Sequence, residues 1–124
     1  MQQTSDYELE LMKVIWSSGG TALYAEIAET LGKKGMNWTK NTIITLLSRL
    51  VEKGMLKTNK IGHRNKYTAV VSENKYRTAQ TEAFLGKVYE GNAKGLVAML
   101  IQKEWLSAEE YEELKQLTGG TDNA

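Results

Sequence analysis

Residues 37–56, NWTKNTIITLLSRLVEKGML, carry the strongest periodic pattern in this chain of 124 residues. Their apolar side chains recur at the spacing of one face of an α-helix, namely Ile43, Leu46, Leu47, Leu50 and Val51. Thr39 is a suitable N-cap, and Gly54 is the expected C-terminal stop. Trp38 precedes the cap at the spacing of a hydrophobic staple with Ile43. The stretch therefore predicts an amphipathic helix with one buried face.

Two further helices are predicted before it. Ser5 and Glu8 form the pattern of a capping box, which marks the start of the first helix. The apolar face of this helix comprises Tyr7, Leu11, Met12, Ile15 and Trp16. Gly19 and Gly20 end the first helix, and the second is expected over about residues 22–33.

The pattern changes after Gly54. Residues 55–61 and 66–71 are predicted as two short strands, joined by a turn at residues 62–65. Three short helices followed by a hairpin form the element order of a winged helix, in which the second and third helices make the helix-turn-helix. We therefore predict a winged-helix DNA-binding domain over residues 1–72.

Helical spacing returns after the hairpin. Asn74 and Asn92 are candidate N-caps for two helices, and Ser107 begins a capping-box pattern for a third. We predict a helical dimerisation domain over residues 73–118 and a disordered tail over residues 119–124. The predicted fold class is mainly α with a small β-hairpin, in which a winged helix-turn-helix is followed by a helical dimerisation segment.

Composition excludes several classes of site. The chain has no cysteine, which removes disulfides, thiol nucleophiles and thiolate metal ligands. His63 is the only histidine and lacks partner ligands at metal-binding spacing, so we expect no metal and no cofactor. Four acids at positions 109, 110, 112 and 113 have the arrangement of a solvated helix face. Because the sequence also lacks a phosphate-binding loop and a nucleophile elbow, we expect that the protein is not an enzyme.

The sequence predicts neither a secretory signal nor a membrane span. The N-terminus has neither a basic region nor an apolar region of the kind found in a secretory signal. The longest apolar run, residues 96–101, is far shorter than the roughly 20 residues that a membrane span requires. We therefore expect a cytoplasmic protein without a membrane partner.

The net charge of +1 conceals an uneven distribution. Residues 33–66 carry nine basic residues and one acid, for a net charge of +8, whereas residues 104–124 have a net charge of −5. A local excess of this size is typical of polyanion binding, and a solvated basic face is the alternative. Because the charges fall on the predicted third helix and hairpin, they favour binding to double-stranded DNA. The acidic C-terminal part is expected to face away from the DNA.

The outer face of the third helix supplies the candidate DNA-reading residues. A helix in the major groove reads bases with side chains near its N-terminal half. Asn and Thr can hydrogen-bond base edges, and an exposed Ile can contact a thymine methyl group. The predicted base-reading residues are Lys40, Asn41, Thr42, Ile44, Thr45 and Ser48. An ordinary solvated helix face is the alternative.

The hairpin is predicted to be a wing that lies along the DNA backbone. Cations there contribute affinity and salt dependence rather than sequence preference. The predicted phosphate and wing contacts are Thr39, Arg49, Lys57, Lys60, His63, Arg64 and Lys66. Lys33, Lys34 and Lys53 are further candidates for phosphate contacts, with solvent exposure as the alternative for each.

Three apolar helical stripes follow the winged helix. Each stripe is too short to form a stable helix alone in water, so they either pack back on the winged helix or pair with a second copy. The predicted dimer interface comprises Phe84, Leu85, Val88, Tyr89, Leu96, Val97, Leu100, Ile101, Tyr111, Leu114 and Leu117. A symmetric homodimer would present two recognition helices about 34 Å apart, which is one turn of DNA.

Three segments give the chain a resemblance to a known family. They are ELELMKVIW at residues 8–16, the block at residues 37–56, and FLGKVYEGNAKGLVAMLIQKEWLSAEEYEELKQL at residues 84–117. The chain resembles the penicillinase-repressor (BlaI/MecI) family of bacterial winged-helix repressors. The resemblance implies a homodimer that binds dyad operators and represses genes of resistance or envelope stress. It also implies, as a further partner, a sensor-activated protease that cleaves the repressor in its dimerisation domain.

The sequence departs from the family pattern at functional positions. Residues 39–42 read Thr-Lys-Asn-Thr where the resistance repressors usually have Ser-Pro-Lys-Thr, and Ile44 replaces a basic residue. We therefore expect a different operator. The family's cleaved Asn-Phe pair matches Met99 and Leu100, so the usual cleavage pair is not kept at that position. The copper-responsive relatives carry C-terminal cysteines that this chain lacks.

Two other functions remain open from the sequence. One is a winged helix used as a protein-interaction module, which the basic recognition face and wing disfavour. The other is a ligand-responsive regulator with a pocket between its domains, although no polar cluster indicates such a pocket. An enzyme is more remote than either.

Overall fold

A computed structural model describes residues 4–118. The elements follow in the order α1 (Asp6–Ser17), β1 (Thr21–Leu23), α2 (Tyr24–Lys33), α3 (Lys40–Glu52), β2 (Leu56–Ile61), β3 (Arg64–Ala69), α4 (Glu73–Tyr89), α5 (Ala93–Gln102) and α6 (Ala108–Lys115). The chain divides into two compact units, and the division lies within α4 between Gln80 and Thr81. The tail predicted at residues 119–124 lies outside the described residues.

The first unit is built around the apolar faces of α1, α2 and α3. Its core comprises Leu11, Met12, Val14, Ile15, Ala22, Ile27, Leu31, Ile43, Leu46, Leu47, Leu50, Met55, Leu56, Tyr67 and Tyr76. Four of the five predicted apolar positions of α3 are buried, and Val51 packs against the same core while partly exposed. The amphipathic helix predicted between the Thr39 cap and the Gly54 stop is therefore confirmed.

The first turn of α4 belongs to this core. The Tyr76 hydroxyl lies 2.8 Å from Thr4 Oγ1 at hydrogen-bond distance, and its ring lies 5.5 Å from that of Trp16. Trp16 Nε1 donates a hydrogen bond of 2.8 Å to the Val71 carbonyl. The domain boundary predicted after residue 72 stays a prediction. The compact units divide later in the chain, so Tyr76 lies in the first unit.

The sheet has three strands rather than the predicted two. Its order is β1-β3-β2, and both pairs are antiparallel. Residues 21–23 pair with β3, through Thr21 opposite Thr68 and Leu23 opposite Lys66, although residues 22 and 23 were predicted as the start of the second helix. The second helix therefore begins at Tyr24, because pairing with β3 holds these three residues extended.

The wing turn is shorter than predicted. Ile61 pairs with Arg64, which leaves Gly62 and His63 as the two central residues. Gly62 has a φ of +65°, as the first central position of a tight hairpin turn of this kind requires. Arg64 and Asn65 lie in β3 rather than in the turn, so Arg64 has a fixed cross-strand partner.

Most predicted helix caps are confirmed. Ser5 and Ser107 each form a capping box, and the Asn92 side chain accepts from the Gly95 N–H at 2.9 Å. The cap predicted at Asn74 is wrong, because α4 begins one residue earlier, at Glu73. The Ser72 hydroxyl accepts from the Lys75 N–H at 3.1 Å and caps this first turn.

The second unit contains the end of α4, together with α5 and α6. Within residues 81–118 no residue is buried. Large apolar side chains are exposed there: Phe84, Val88, Val97, Ile101, Trp105, Tyr111, Leu114 and Leu117. The predicted helical spacing is confirmed, and its apolar side lies open.

Candidate nucleic-acid interface

Helix α3 presents most of the predicted base-reading residues to solvent. Lys40, Asn41, Thr45 and Ser48 are exposed, whereas Thr42 and Ile44 are half-buried. The core residues of α3 occupy the opposite side because the helix repeats every 3.6 residues. On the same geometry, Asn41, Thr45 and Ser48 form the outermost stripe. This stripe is the part of α3 that would enter a groove most deeply.

The start of α3 is held by Thr39. Its hydroxyl accepts from the Thr42 N–H at 3.2 Å and donates to the Thr42 hydroxyl at 3.0 Å. The Thr39 side chain is therefore engaged in the cap. A phosphate at this helix start would be held by the backbone N–H groups of the first turn that a helix leaves without partners.

The wing cations divide between two faces of the hairpin. Residues directly opposite in an antiparallel pair share a face, and alternate residues along a strand share it too. Lys57, Lys66 and Arg64 therefore lie on one face, and Lys60 lies on the other face with its partner Asn65. The sequence grouped these cations as one set, whereas the register separates Lys60 from the others.

A cleft of about 400 Å³ lies between the wing tip and α3. The residues that line it are Leu23, Tyr24, Ala25, Lys40, Ile44, His63, Arg64 and Asn65. Lys40 Nζ lies 5.9 Å from the centre of the Tyr24 ring, a cation–π distance. The cleft brings Lys40 and Ile44 of α3 together with His63 and Arg64 of the wing, as the winged-helix prediction requires. The sequence analysis missed Tyr24, since its place beside the wing depends on tertiary contacts.

A second cleft, of about 370 Å³, lies on the opposite flank of α3. Asn41, Thr42, Thr45, Leu46 and Arg49 line it together with Tyr7. Tyr7 was predicted to belong to the buried face of α1, but its side chain is 57% exposed. It stacks on Trp38 with ring centroids 4.7 Å apart. The prediction was wrong because Tyr7 lies in the first turn of α1, where it packs on Trp38 instead of entering the core.

Within the described residues, the candidate cations of this surface form no ion pair. Among residues 4–118, the ion pairs that the structure contains involve Lys13, Lys33, Lys53, Arg77 and Lys115. None includes the cations of α3 and the wing: Lys40, Arg49, Lys57, Lys60, Arg64 and Lys66. An unneutralised group of this kind attracts a polyanion.

Lys53 differs from those cations. Its Nζ lies 2.6 Å from the Glu8 carboxylate, which is almost wholly buried. Burial raises the pKa of Glu8, but hydrogen bonds from Lys53 and from the Ser5 N–H outweigh it, so the pKa lies below its ordinary value. The position of Lys53 thus indicates a structural ion pair rather than the phosphate contact suggested for it.

Two further observations concern metal sites and membrane-spanning helices in the described part of the chain. No group of three or more His, Asp or Glu side chains within residues 4–118 is arranged to hold a metal ion. No helix there is both long enough and apolar enough to cross a membrane.

Sequence comparison finds relatives along nearly the whole chain. The profile of the family described as penicillinase repressor matches residues 4–119. A penicillinase repressor of Bacillus licheniformis is 36% identical over 115 residues, which cover 93% of this chain and 88% of that protein. The methicillin resistance regulatory protein MecI of Staphylococcus aureus (strain N315) is 32% identical over 115 residues, covering 93% of this chain and 92% of that protein.

A comparison with solved structures supports the same fold class. The solution structure of the DNA binding domain of the repressor BlaI superposes with a TM-score of 0.53 and 40% sequence identity. The match covers 60% of this chain and 88% of that domain. The predicted winged helix is thereby confirmed.

Proposed function

Because the chain belongs to the penicillinase-repressor family, we propose that it is a transcriptional repressor that binds a dyad operator as a homodimer. The family is one of DNA-binding repressors, and the proposed site is the surface formed by α3 and the wing. The observation that carries the proposal is the outer face of α3, flanked by cations that have no acidic partner within residues 4–118.

Sequence preference is proposed to come from the outermost stripe of α3. Asn41 can pair with an adenine edge through its amide, and Thr45 and Ser48 can donate to or accept from base edges. Ile44, on the wing side of α3, can contact a thymine methyl group. Thr42 and Lys40 border this stripe and complete the proposed base-reading set.

Affinity is proposed to come from the cations around the stripe. Lys57, Arg64 and Lys66 on one face of the wing, with Lys60 on the other, can follow a phosphate backbone on either side of the hairpin. Arg49 extends the positive surface along the opposite flank of α3. Each cation that neutralises a phosphate releases counterions, so binding weakens as salt rises.

The open apolar side of the second unit supports the dimer. Seven of the eleven predicted interface residues are exposed, and Leu85, Tyr89, Leu96 and Leu100 are half-buried. Exposed apolar patches of this extent are costly in a monomer and are typical of interaction surfaces. We propose a second copy as the occupant, because a twofold axis between two copies would match a dyad operator.

For the target genes and the release of repression, we propose only a class of gene and a class of partner. The names of the relatives point to penicillinase and methicillin resistance, so we propose genes of resistance or envelope stress as the class of target. A sensor-activated protease is a proposed partner. Met99 and Leu100 lie within α5, so cleavage between them would require this helix to open first. Binding to a DNA operator is consistent with the expected cytoplasmic location.

Fluorescence anisotropy tests the proposal. The purified protein is titrated against its own upstream region and against a scrambled duplex of equal length, at two salt concentrations. We expect a preference of about 10³-fold or more for the upstream DNA, with two protomers bound per site. If no duplex is preferred, even in a selection from genomic fragments, the repressor proposal is wrong. The basic surface would then serve a protein-interaction module.

A further inference from the structure

The recognition helix α3 has a cleft on each flank, and each cleft contains a tyrosine. Tyr24, the first residue of α2, lines the wing-side cleft with Lys40 and Arg64. Tyr7, in the first turn of α1, lines the opposite cleft with Asn41 and Arg49. The base-reading and wing residues proposed above include neither tyrosine.

The dimensions of DNA indicate what would lie against these two clefts. The major groove is about 12 Å wide and is bordered by the phosphates of both strands. A helix with its side chains has a diameter of about 10–12 Å. A helix that fills the groove therefore has the sugar-phosphate backbone of one DNA strand against each flank. The two clefts of α3 lie on those flanks.

We infer that Tyr7 and Tyr24 each donate a hydrogen bond to a DNA phosphate, one on each strand bordering the groove that α3 enters. This inference rests on the proposed DNA-binding function. Within residues 4–118 neither hydroxyl has a hydrogen-bond partner in the protein, so both remain able to donate. A neutral hydroxyl donor to a phosphate fixes the orientation of the helix without reading sequence.

Tyr7 is held in place for this contact. Its ring stacks on Trp38 at an interplanar angle of 29°, and Trp38 directly precedes the cap of α3. The stack couples the position of the hydroxyl to the start of the recognition helix. Because a stacked ring loses little rotational freedom on binding, the contact has a low entropic cost.

Tyr24 lies in the more positive of the two clefts. Lys40 is stacked over its ring, and His63 and Arg64 approach from the wing. A phosphate that enters this cleft would meet the hydroxyl and these side chains together. The contact on this flank would therefore connect the recognition helix and the wing through one phosphate group.

The test compares Tyr7→Phe and Tyr24→Phe with the wild type. The probe is the duplex that the wild-type protein selects from a random-sequence pool. Phenylalanine keeps the ring stack on Trp38 and the ring beneath Lys40, so only the hydroxyl is lost. We expect each variant to bind the duplex about 3- to 10-fold more weakly. The slope of log affinity against log salt should not change, because a neutral donor releases no counterion.

Tyr76→Phe is the matched control, since its hydroxyl is bonded within the fold to Thr4. Its affinity should equal that of the wild type, and thermal unfolding should show that all three variants are folded. The inference would be overturned if the double variant Tyr7→Phe/Tyr24→Phe bound the duplex with an affinity within twofold of the wild type. Failure of the wild type to select any duplex would instead remove the proposed function, and the inference with it.

Discussion

Glu8 in α1 and Lys53 at the end of α3 form an ion pair, with 2.6 Å between Oε1 and Nζ. The carboxylate also accepts from the Ser5 N–H at 2.8 Å, so one buried group serves both the cap of α1 and the contact between helices. The pair therefore ties α1 to α3, the proposed recognition helix. Loss of the pair should lower the free energy of unfolding more than it lowers the affinity for DNA.

Glu8→Gln should lower the free energy of unfolding at neutral pH by about 1–3 kcal/mol, since it removes the buried carboxylate charge that pairs with Lys53. The folded-state pKa of Glu8 is lowered, so its contribution is fully present above the unfolded pKa of about 4.3. That contribution is lost as pH falls through the folded pKa. Urea unfolding from pH 7 to pH 3 should show a shallower decline for the variant.

Glu10→Gln is the control for this measurement. Its pair with Lys13 is longer, at 3.6 Å, and the lysine is 48% exposed. Exposed pairs contribute about 0–1 kcal/mol. A Glu8→Gln variant as stable as Glu10→Gln at pH 7 would show that the buried pair does not stabilise the fold.

Asn41→Ala and Thr45→Ala should weaken specific binding by about 1–3 kcal/mol each. Both residues lie on the outermost stripe of α3, where a lost base contact affects the cognate duplex alone. Anisotropy with the cognate and a scrambled duplex measures the difference. Equal losses on the two duplexes would contradict base reading by these residues.

Arg64→Ala should reduce the slope of log affinity against log salt by about 1. Arg64 is exposed, lies beside the turn of the wing and has no ion pair within residues 4–118. Lys13→Ala removes a cation that already pairs with Glu10 in α1 and should leave the slope unchanged. The same slope for both variants and the wild type would exclude the wing from the phosphate contacts.

Leu96→Asp should convert the proposed dimer into a monomer, because it places a charge in the apolar side of α5. Sedimentation velocity measures the change directly. Gln102→Asp adds the same charge at an exposed polar position of the same helix and should leave the dimer intact. A dimeric Leu96→Asp protein would show that the interface lies elsewhere.

The parts of the fold that the sequence predicted correctly depend on local patterns. Helix α3 has an unbroken apolar face, an N-cap at Thr39 and a glycine stop, and these signals agree with one another. The paired strands of the wing were placed for the same reason. Ser5 and Ser107 were identified as caps because a capping box needs residues only three positions apart.

The parts that it missed depend on contacts between distant segments. Strand β1 has three residues, too few for an alternating pattern, and it exists because β3 pairs with it. Tyr7 has the spacing of a core residue but stacks on Trp38, which lies just before the cap of α3. Tyr24 carries no sequence signal for its place beside the wing. The separation of Lys60 from Lys57 and Arg64 likewise depends on the register of the hairpin.

The open apolar side of residues 81–118 has a consequence for gene regulation. If that side pairs with a second copy as proposed, the segment gains stability from its partner and its order depends on the concentration of the protein. In the proposed dimer, occupancy of the operator would then rise more steeply than in proportion to the number of repressor molecules in the cell. The rate at which the protein is synthesised and degraded would itself act as a regulatory input, even without a bound inducer.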